Sequence, residues 1–120
     1  MKEYFLDTSF LVDLINEREN ALQKHESVKG QEVTGTPCVY ELSKFTQFDP
    51  SDLFLGKEIY EFTAEDAKAA GDIYYRLREE GDLLAEIDLI IAGMVKNREL
   101  VLLTRDSDFE RIREIEVETY

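Results

Sequence analysis

The chain has 120 residues, 43% of them hydrophobic and 34% charged, the balance of one folded domain with a single sizeable core. Its 27 Asp and Glu against 14 Lys and Arg leave a net charge of −13, which argues against a broad basic surface for gripping phosphates. The longest apolar stretch, residues 89–95, is too short to span a bilayer, and the N-terminus lacks the basic and apolar regions of a signal peptide.

In chain order, residues 3–6 read as a short buried strand ending at Asp7. Thr8 or Ser9 can cap a helix over residues 10–16, with Leu11, Leu14 and Ile15 facing inward. A more polar helix covers 19–28 and stops at Gly30; residues 31–35 make a short strand or connector. Thr36-Pro37 opens the next helix, the hydroxyl capping and proline suiting the first helical position. That helix runs to about Phe48, where Asp49-Pro50 breaks it. Residues 51–57 give a helical turn and 58–62 a strand. Thr63-Ala64-Glu65-Asp66 has the form of a capping box, and its helix sets Ala67, Ala70, Tyr74 and Leu77 on one face before Gly81. A helix over 84–97 follows. The run Leu100-Val101-Leu102-Leu103, apolar without alternation, reads as a central parallel strand, followed by a helical turn at 107–112 and an edge strand at 115–117. Strands alternating with helices predict an α/β fold, a three-layer α/β/α sandwich with a mainly parallel sheet, spanning 1–120 as one domain.

Four acids stand where folding alone would not put them. Asp7 closes the first apolar run, and Asp106 follows the last one after Thr104-Arg105. Glu41 shares a helix face with Cys38, Leu42 and Phe45; Asp88 shares one with Leu84 and Ile91. Taken singly, each has an ordinary explanation: a helix cap for Asp7, a side chain snorkelling outward for Glu41, an ion pair for Asp88, and a turn for Asp106, as for Asp108. Jointly they need another. In parallel sheets, ligands bind beyond the carboxyl ends of the strands, and both Asp7 and Asp106 leave strands at that edge. Clustered carboxylates take up protons unless a cation intervenes, and oxygen-only donors select Mg²⁺ or Mn²⁺. The expected chemistry is hydrolysis at phosphorus with water as nucleophile.

The same segments resemble the PIN-domain family, and within it the VapC-like toxins of toxin–antitoxin pairs. Leu6-Asp7-Thr8-Ser9-Phe10-Leu11-Val12-Asp13 is similar to the family's opening D-[TS]-[SN] motif, and Val39-Tyr40-Glu41-Leu42 to its second. Ile87-Asp88-Leu89-Ile90-Ile91-Ala92 resembles the third, with Gly93 where alanine is more usual, and Leu103-Thr104-Arg105-Asp106-Ser107-Asp108-Phe109 the fourth. The resemblance implies a metal-dependent endoribonuclease acting as a homodimer and inhibited by an antitoxin protein. It makes Asp7, Glu41, Asp88 and Asp106 the catalytic acids, with Asp7, Asp88 and Asp106 as metal ligands. Thr8, Ser9, Thr104 and Asp108 would support them, Asp108 being the rival of Asp106 for the fourth acid.

Lys96, Arg98, Arg105, Arg111 and Arg113 crowd the last quarter of the chain, where Arg105 is the candidate for substrate contact; the ordinary reading is charge balance with Glu110, Glu114 and Glu116. His25 reads as a surface residue and Cys38 as a small core residue. One cysteine makes no internal disulfide, so a reducing cytoplasm is the expected setting. A haloacid-dehalogenase-like phosphatase needs a second acid two residues after its aspartate, and here Ser9 stands at that place. The acids are also compatible with a housekeeping RNA-processing nuclease or an inactive PIN-type interaction module.

Overall fold

The computed structural model of the chain describes residues 2–45, 54 and 57–120. Strands β1 (Tyr4–Leu6), β2 (Glu32–Gly35), β3 (Glu58–Tyr60), β4 (Val101–Leu103) and β5 (Glu116–Glu118) form one sheet in the order β3-β2-β1-β4-β5. Every pairing is parallel. Helices α1 (Thr8–Ile15), α2 (Glu19–Val28), α3 (Thr36–Phe45), α4 (Ala64–Glu79) and α5 (Glu86–Asn97) connect the strands, and a 3₁₀ turn covers Ser107–Arg111.

The chain steps outward from β1 through β2 to β3, then returns across the sheet to β4 on the other side of β1. Right-handed crossovers put connections running in opposite directions on opposite faces, which yields the three layers of the α/β/α sandwich. The reversal falls between β1 and β4, so their carboxyl ends flank a switch point, where such sheets open a crevice.

The two central strands are apolar because both their faces are covered. Phe5, Leu6, Leu102 and Leu103 are fully buried and share one core with Phe10, Leu11, Ile91 and Met94. Burial of each such side chain contributes roughly 1.5–3 kcal/mol against the cost of ordering it.

Local signals account for several ends. The Thr63 hydroxyl accepts from Asp66 N–H at 3.2 Å while Asp66 Oδ2 accepts from Thr63 N–H at 2.9 Å, the reciprocal capping box expected of this tetrapeptide. At the other end of α4, Gly81 takes φ +68°, and Gly81 and Asp82 N–H return to the carbonyls of Arg78 and Leu77.

Elsewhere the structure departs from the sequence reading. Helix α1 begins at Thr8 with Asp7 at the N-cap, and it buries Phe10, Leu11 and Asp13, while Leu14 and Ile15 are only half-buried. Helix α4 buries Asp66, Ala69, Ala70, Ile73 and Leu77; Ala67 is exposed, so the inward face is turned by about one residue from the expected one. The Thr36 hydroxyl accepts from Phe62 N–H at 3.3 Å, tying α3 to the segment after β3. His25 is not a free surface residue: its Nδ1 lies 2.7 Å from Oε2 of Glu32, a buried acid on β2. Helix α5 starts two residues later than expected, after an extended Ala85. The expected end of α3 near Phe48, the break at Asp49-Pro50 and most of the turn at 51–57 lie outside the described residues.

Candidate active site

Asp7 is delivered by strand pairing. Leu6 sits opposite Leu103 in the parallel register, and the Asp7 N–H donates to the Leu103 carbonyl at 3.1 Å, which sets Asp7 and Thr104 side by side where β1 and β4 end. The Asp7 carboxylate makes no helix cap. Its Oδ2 accepts from the Thr104 hydroxyl at 2.7 Å and the Ser9 hydroxyl at 2.9 Å, and those two oxygens are 3.1 Å apart. Asp7 is 5% exposed. Burial raises its pKa and the charge of Glu41 adds to the rise; the hydroxyls of Thr104 and Ser9 and the backbone of Thr8 oppose it without cancelling it.

The two helical acids reach the same edge from different elements. Glu41, half-buried on α3, accepts from the Thr8 hydroxyl at 2.6 Å. Asp88 lies in the first turn of α5, where the helix dipole favours a negative charge. It is half-buried, and among the described residues its carboxylate has neither a hydrogen-bond donor nor a basic partner. Burial, and then the charges of Asp7, Asp106, Glu41 and Asp108, push its pKa up to about 7. Five carboxylates thus share one field at the carboxyl edge of the sheet.

The two rival acids of the last loop differ. Asp106 is half-buried; its N–H donates to the Thr104 hydroxyl at 3.0 Å, and its Oδ1 accepts from Asp108 N–H at 2.9 Å, capping the 3₁₀ turn. Asp108 is exposed and is 3.4 Å from Arg111. Asp106 therefore combines a turn role with a place beside Thr104, whereas Asp108 stands further out.

Among the described residues, no three His, Cys, Asp or Glu side chains form a closed group able to hold a metal ion as they stand. The fit to a divalent cation is one of chemistry and charge: oxygen donors only, and an Asp88 whose ionisation its neighbours oppose. Cys38 is fully buried beside these acids, and burial pushes its thiol up to about 12, so it is a neutral core residue.

Most bases of the last quarter serve acids of the fold. Arg98 binds Asp66 and lies over the Tyr60 ring, Arg111 pairs with Asp82, and Arg113 with Glu80. Arg105 is the one of the five candidates whose backbone is tied to the site, its N–H donating to Ser9 Oγ at 3.3 Å.

Sequence reasoning read Asp66 only as a capping-box acid and passed over Glu32 and Asp13; all three are buried and have partners. Asp66 meets Asn97 and Arg98, Glu32 meets His25, and Asp13 meets Arg105 and Tyr120. For Asp13 a signal was present: it lies three residues after Phe10, on the inward face of α1.

Among solved structures the chain is similar to DNA-bound VapBC from Salmonella typhimurium, with TM-score 0.83 and 22% identity over 99% of this chain and 98% of that one. It is also similar to VapBC2 from Rickettsia felis bound to a DNA fragment from its promoter, with TM-score 0.82 and 23% identity over 97% of each chain. FitAcB from Neisseria gonorrhoeae gives TM-score 0.79 and 20% identity over 95% of each chain. At these identities the likeness is one of fold. No curated protein sequence matches the chain. A family model described as PIN domain matches residues 4–115, and the chain belongs to the PIN domain family.

Proposed function

We propose that this chain is a metal-dependent endoribonuclease, the toxin of a toxin–antitoxin pair, hydrolysing RNA phosphodiester bonds at the carboxyl edge of β1 and β4. The observation that carries the reading is Asp88, a half-buried carboxylate without donor or base among the described residues, facing the charges of four other acids. A fold does not retain such a group for stability, because each of its neighbours makes its ionisation costlier. Asp7, Asp88 and Asp106 would hold Mg²⁺ or Mn²⁺, with Glu41 completing the catalytic acids. When bound, such an ion supplies charge neutralisation at phosphorus and a more acidic attacking water.

The chain's own groups prepare that site. Ser9 and Thr104 fix the Asp7 carboxylate through two hydroxyl hydrogen bonds, and Thr8 fixes Glu41 through one. Asp106 is oriented by its own turn and by Thr104, and Asp108 is its outer neighbour. Preset donors of this kind reduce the reorganisation left for the reaction itself.

Membership of the PIN domain family and fold likeness to VapBC toxin–antitoxin structures support the nuclease class and an antitoxin partner. A homodimer, one domain over 1–120 and action in the cytoplasm complete the reading; among the described residues no helix is long and apolar enough to cross a membrane. The test is incubation of the purified protein with structured and unstructured RNAs, with and without Mg²⁺ or Mn²⁺. Cleavage should require the ion and disappear in both Asp7→Asn and Asp88→Asn. Cleavage that survives both substitutions overturns the assignment.

A further inference from the structure

A chain with a net charge of −13 that works on RNA needs a local cation near its acids, and the Arg105 backbone is tied to the residue that holds Asp7. The N–H of Arg105 donates to Ser9 Oγ, the same hydroxyl that donates to Asp7. Its Nε lies 3.1 Å from Oδ2 of Asp13, one turn further along α1. The Arg105 side chain is 57% exposed while that of Asp13 is 8% exposed, so a buried anchor holds an open guanidinium. Tyr120 closes the anchor from the other side: its hydroxyl donates to the same Asp13 oxygen at 2.5 Å, and its ring meets Phe10 edge-on at 4.7 Å.

A guanidinium presents five N–H donors in a rigid fork. Asp13 engages the Nε side, and the terminal nitrogens have no partner among the described residues. The Tyr120 hydroxyl shares the charge of Asp13, which weakens its claim on the cation. An Arg fixed in this way loses little side-chain entropy when it meets a phosphate oxygen pair, and phosphate is what such a fork matches.

We propose that Asp13 is a positioning residue that, with Tyr120, aims Arg105 at a backbone phosphate of the RNA beside Asp7. The proposal rests on the nuclease reading for its ligand, but the anchor itself is testable without cleavage. The competing role is a salt bridge that only fastens α1 to the loop after β4.

The first measurement is NMR of the ¹⁵N-labelled full chain without divalent ion, following the Arg Nε–H signals, with Arg105 assigned by its loss in Arg105→Lys. Exchange of the Arg105 Nε–H with water should be slower in the native chain than in Asp13→Asn, because the ion pair restrains the guanidinium; equal rates overturn the anchor. The second is fluorescence anisotropy with a labelled single-stranded oligoribonucleotide in EDTA across a salt series. Arg105→Ala and Asp13→Asn should each weaken binding roughly tenfold and lower the slope of log Kd against log salt by roughly 0.7, one phosphate on a single strand.

The double variant should bind no more weakly than Arg105→Ala alone, because Asp13 acts through Arg105. Unchanged slopes, or losses that add, overturn the proposal and leave Asp13 a fastening only. If Asp13→Asn does not fold, the exposed Arg105 carries the test: Arg105→Lys should keep the slope but weaken binding, and native binding in both Arg105 variants overturns it. Asp7→Asn separates the two readings, since it should remove cleavage and leave the salt slope intact. A native chain that cleaves no RNA, yet shows the slow exchange and the slope change, overturns the nuclease reading and supports the Arg105 assignment.

Discussion

The Thr104 hydroxyl donates to Asp7 Oδ2 at 2.7 Å, joining the ends of two strands that lie 97 residues apart in the chain. Burial raises the Asp7 pKa, and this bond and the Ser9 bond hold the rise in check. Thr104 also accepts from Asp106 N–H, so one hydroxyl orders two of the candidate acids. Thr104→Val keeps the shape and removes the hydroxyl. With the donor gone, the Asp7 carboxylate protonates at a higher pH than in the native chain. The acid limb of the RNA-cleavage pH profile should therefore move upward, read from cleavage rates across a pH series of both proteins. An unmoved acid limb would show that Asp7 does not titrate in the reaction.

Asp88 makes the opposite kind of prediction, a gain in stability. Its folded pKa is raised from 3.8 to about 7, so ionising it costs more in the folded chain than in the unfolded one. The sign follows directly. Below pH 3.8 the group is neutral in both states and contributes nothing; between there and pH 7 the folded state loses stability, and above pH 7 the loss is complete. Asp88→Asn removes it. In EDTA at pH 8 the variant should be more stable by about 1–2 kcal/mol, allowing for screening at a half-open site, or roughly 5 °C in melting temperature. At pH 4 the two proteins should melt together. A variant less stable than the native chain at pH 8 would mean that Asp88 has a stabilising partner.

Much of the framework was legible in the sequence because its causes are local. The uninterrupted apolar run before Thr104 requires cover on both faces, and β4 is central; Thr63-x-x-Asp66 satisfies two helix-end donors by itself. The positions of Asp7 and Thr104 followed from strand ends once β1 and β4 proved neighbours. What stayed hidden depends on partners from elsewhere in the chain. His25 looked solvent-facing on a polar helix until β2 brought Glu32 to it. The inward face of α4 turned by a residue because Asp66, an acid, goes inward to meet Asn97 and Arg98 from the end of α5. Nothing near Asp13 in sequence announces Tyr120, 107 residues on.

Asp66 shows how a buried acid is made stabilising. It is fully buried, and although burial raises its pKa, the Arg98 guanidinium, the Thr63 backbone and hydroxyl, and Asn97 bring it below the usual carboxylate value of 3.8. A lowered folded pKa means stability that is complete above the unfolded pKa and is lost as pH falls through the folded one. Asp66→Ala leaves Arg98 and Asn97 facing a buried gap and the Thr63 N–H without its acceptor, at a cost of about 3–5 kcal/mol. Urea denaturation at pH 7 should show this as a lower midpoint, and the deficit should shrink toward pH 3. A loss that is the same at both pH values would assign the effect to packing rather than charge.

Gly93 tests how closely α4 and α5 approach. A Cβ built there would lie 2.6 Å from Ala70 Cβ, 2.6 Å from the Asp66 carbonyl oxygen and 2.7 Å from Ala70 N. Two of these three atoms are backbone, so relief requires the helices themselves to separate, not one side chain to swing away. Alanine gains about 1 kcal/mol over glycine in helix propensity. Forced overpacking in a tight core costs about 1–3 kcal/mol, and pushing α4 outward also stretches the Asn97 and Arg98 bonds to Asp66. The cost wins: Gly93→Ala should lower the unfolding free energy by about 1–2 kcal/mol, read as a shifted denaturant midpoint at unchanged slope. Ala70→Gly removes the Cβ from the contact and leaves the two backbone atoms, so the pair Gly93→Ala, Ala70→Gly should recover only part of the loss. Full recovery would place the clash at the Ala70 methyl alone, and no loss in the single variant would mean that α5 has room to slide.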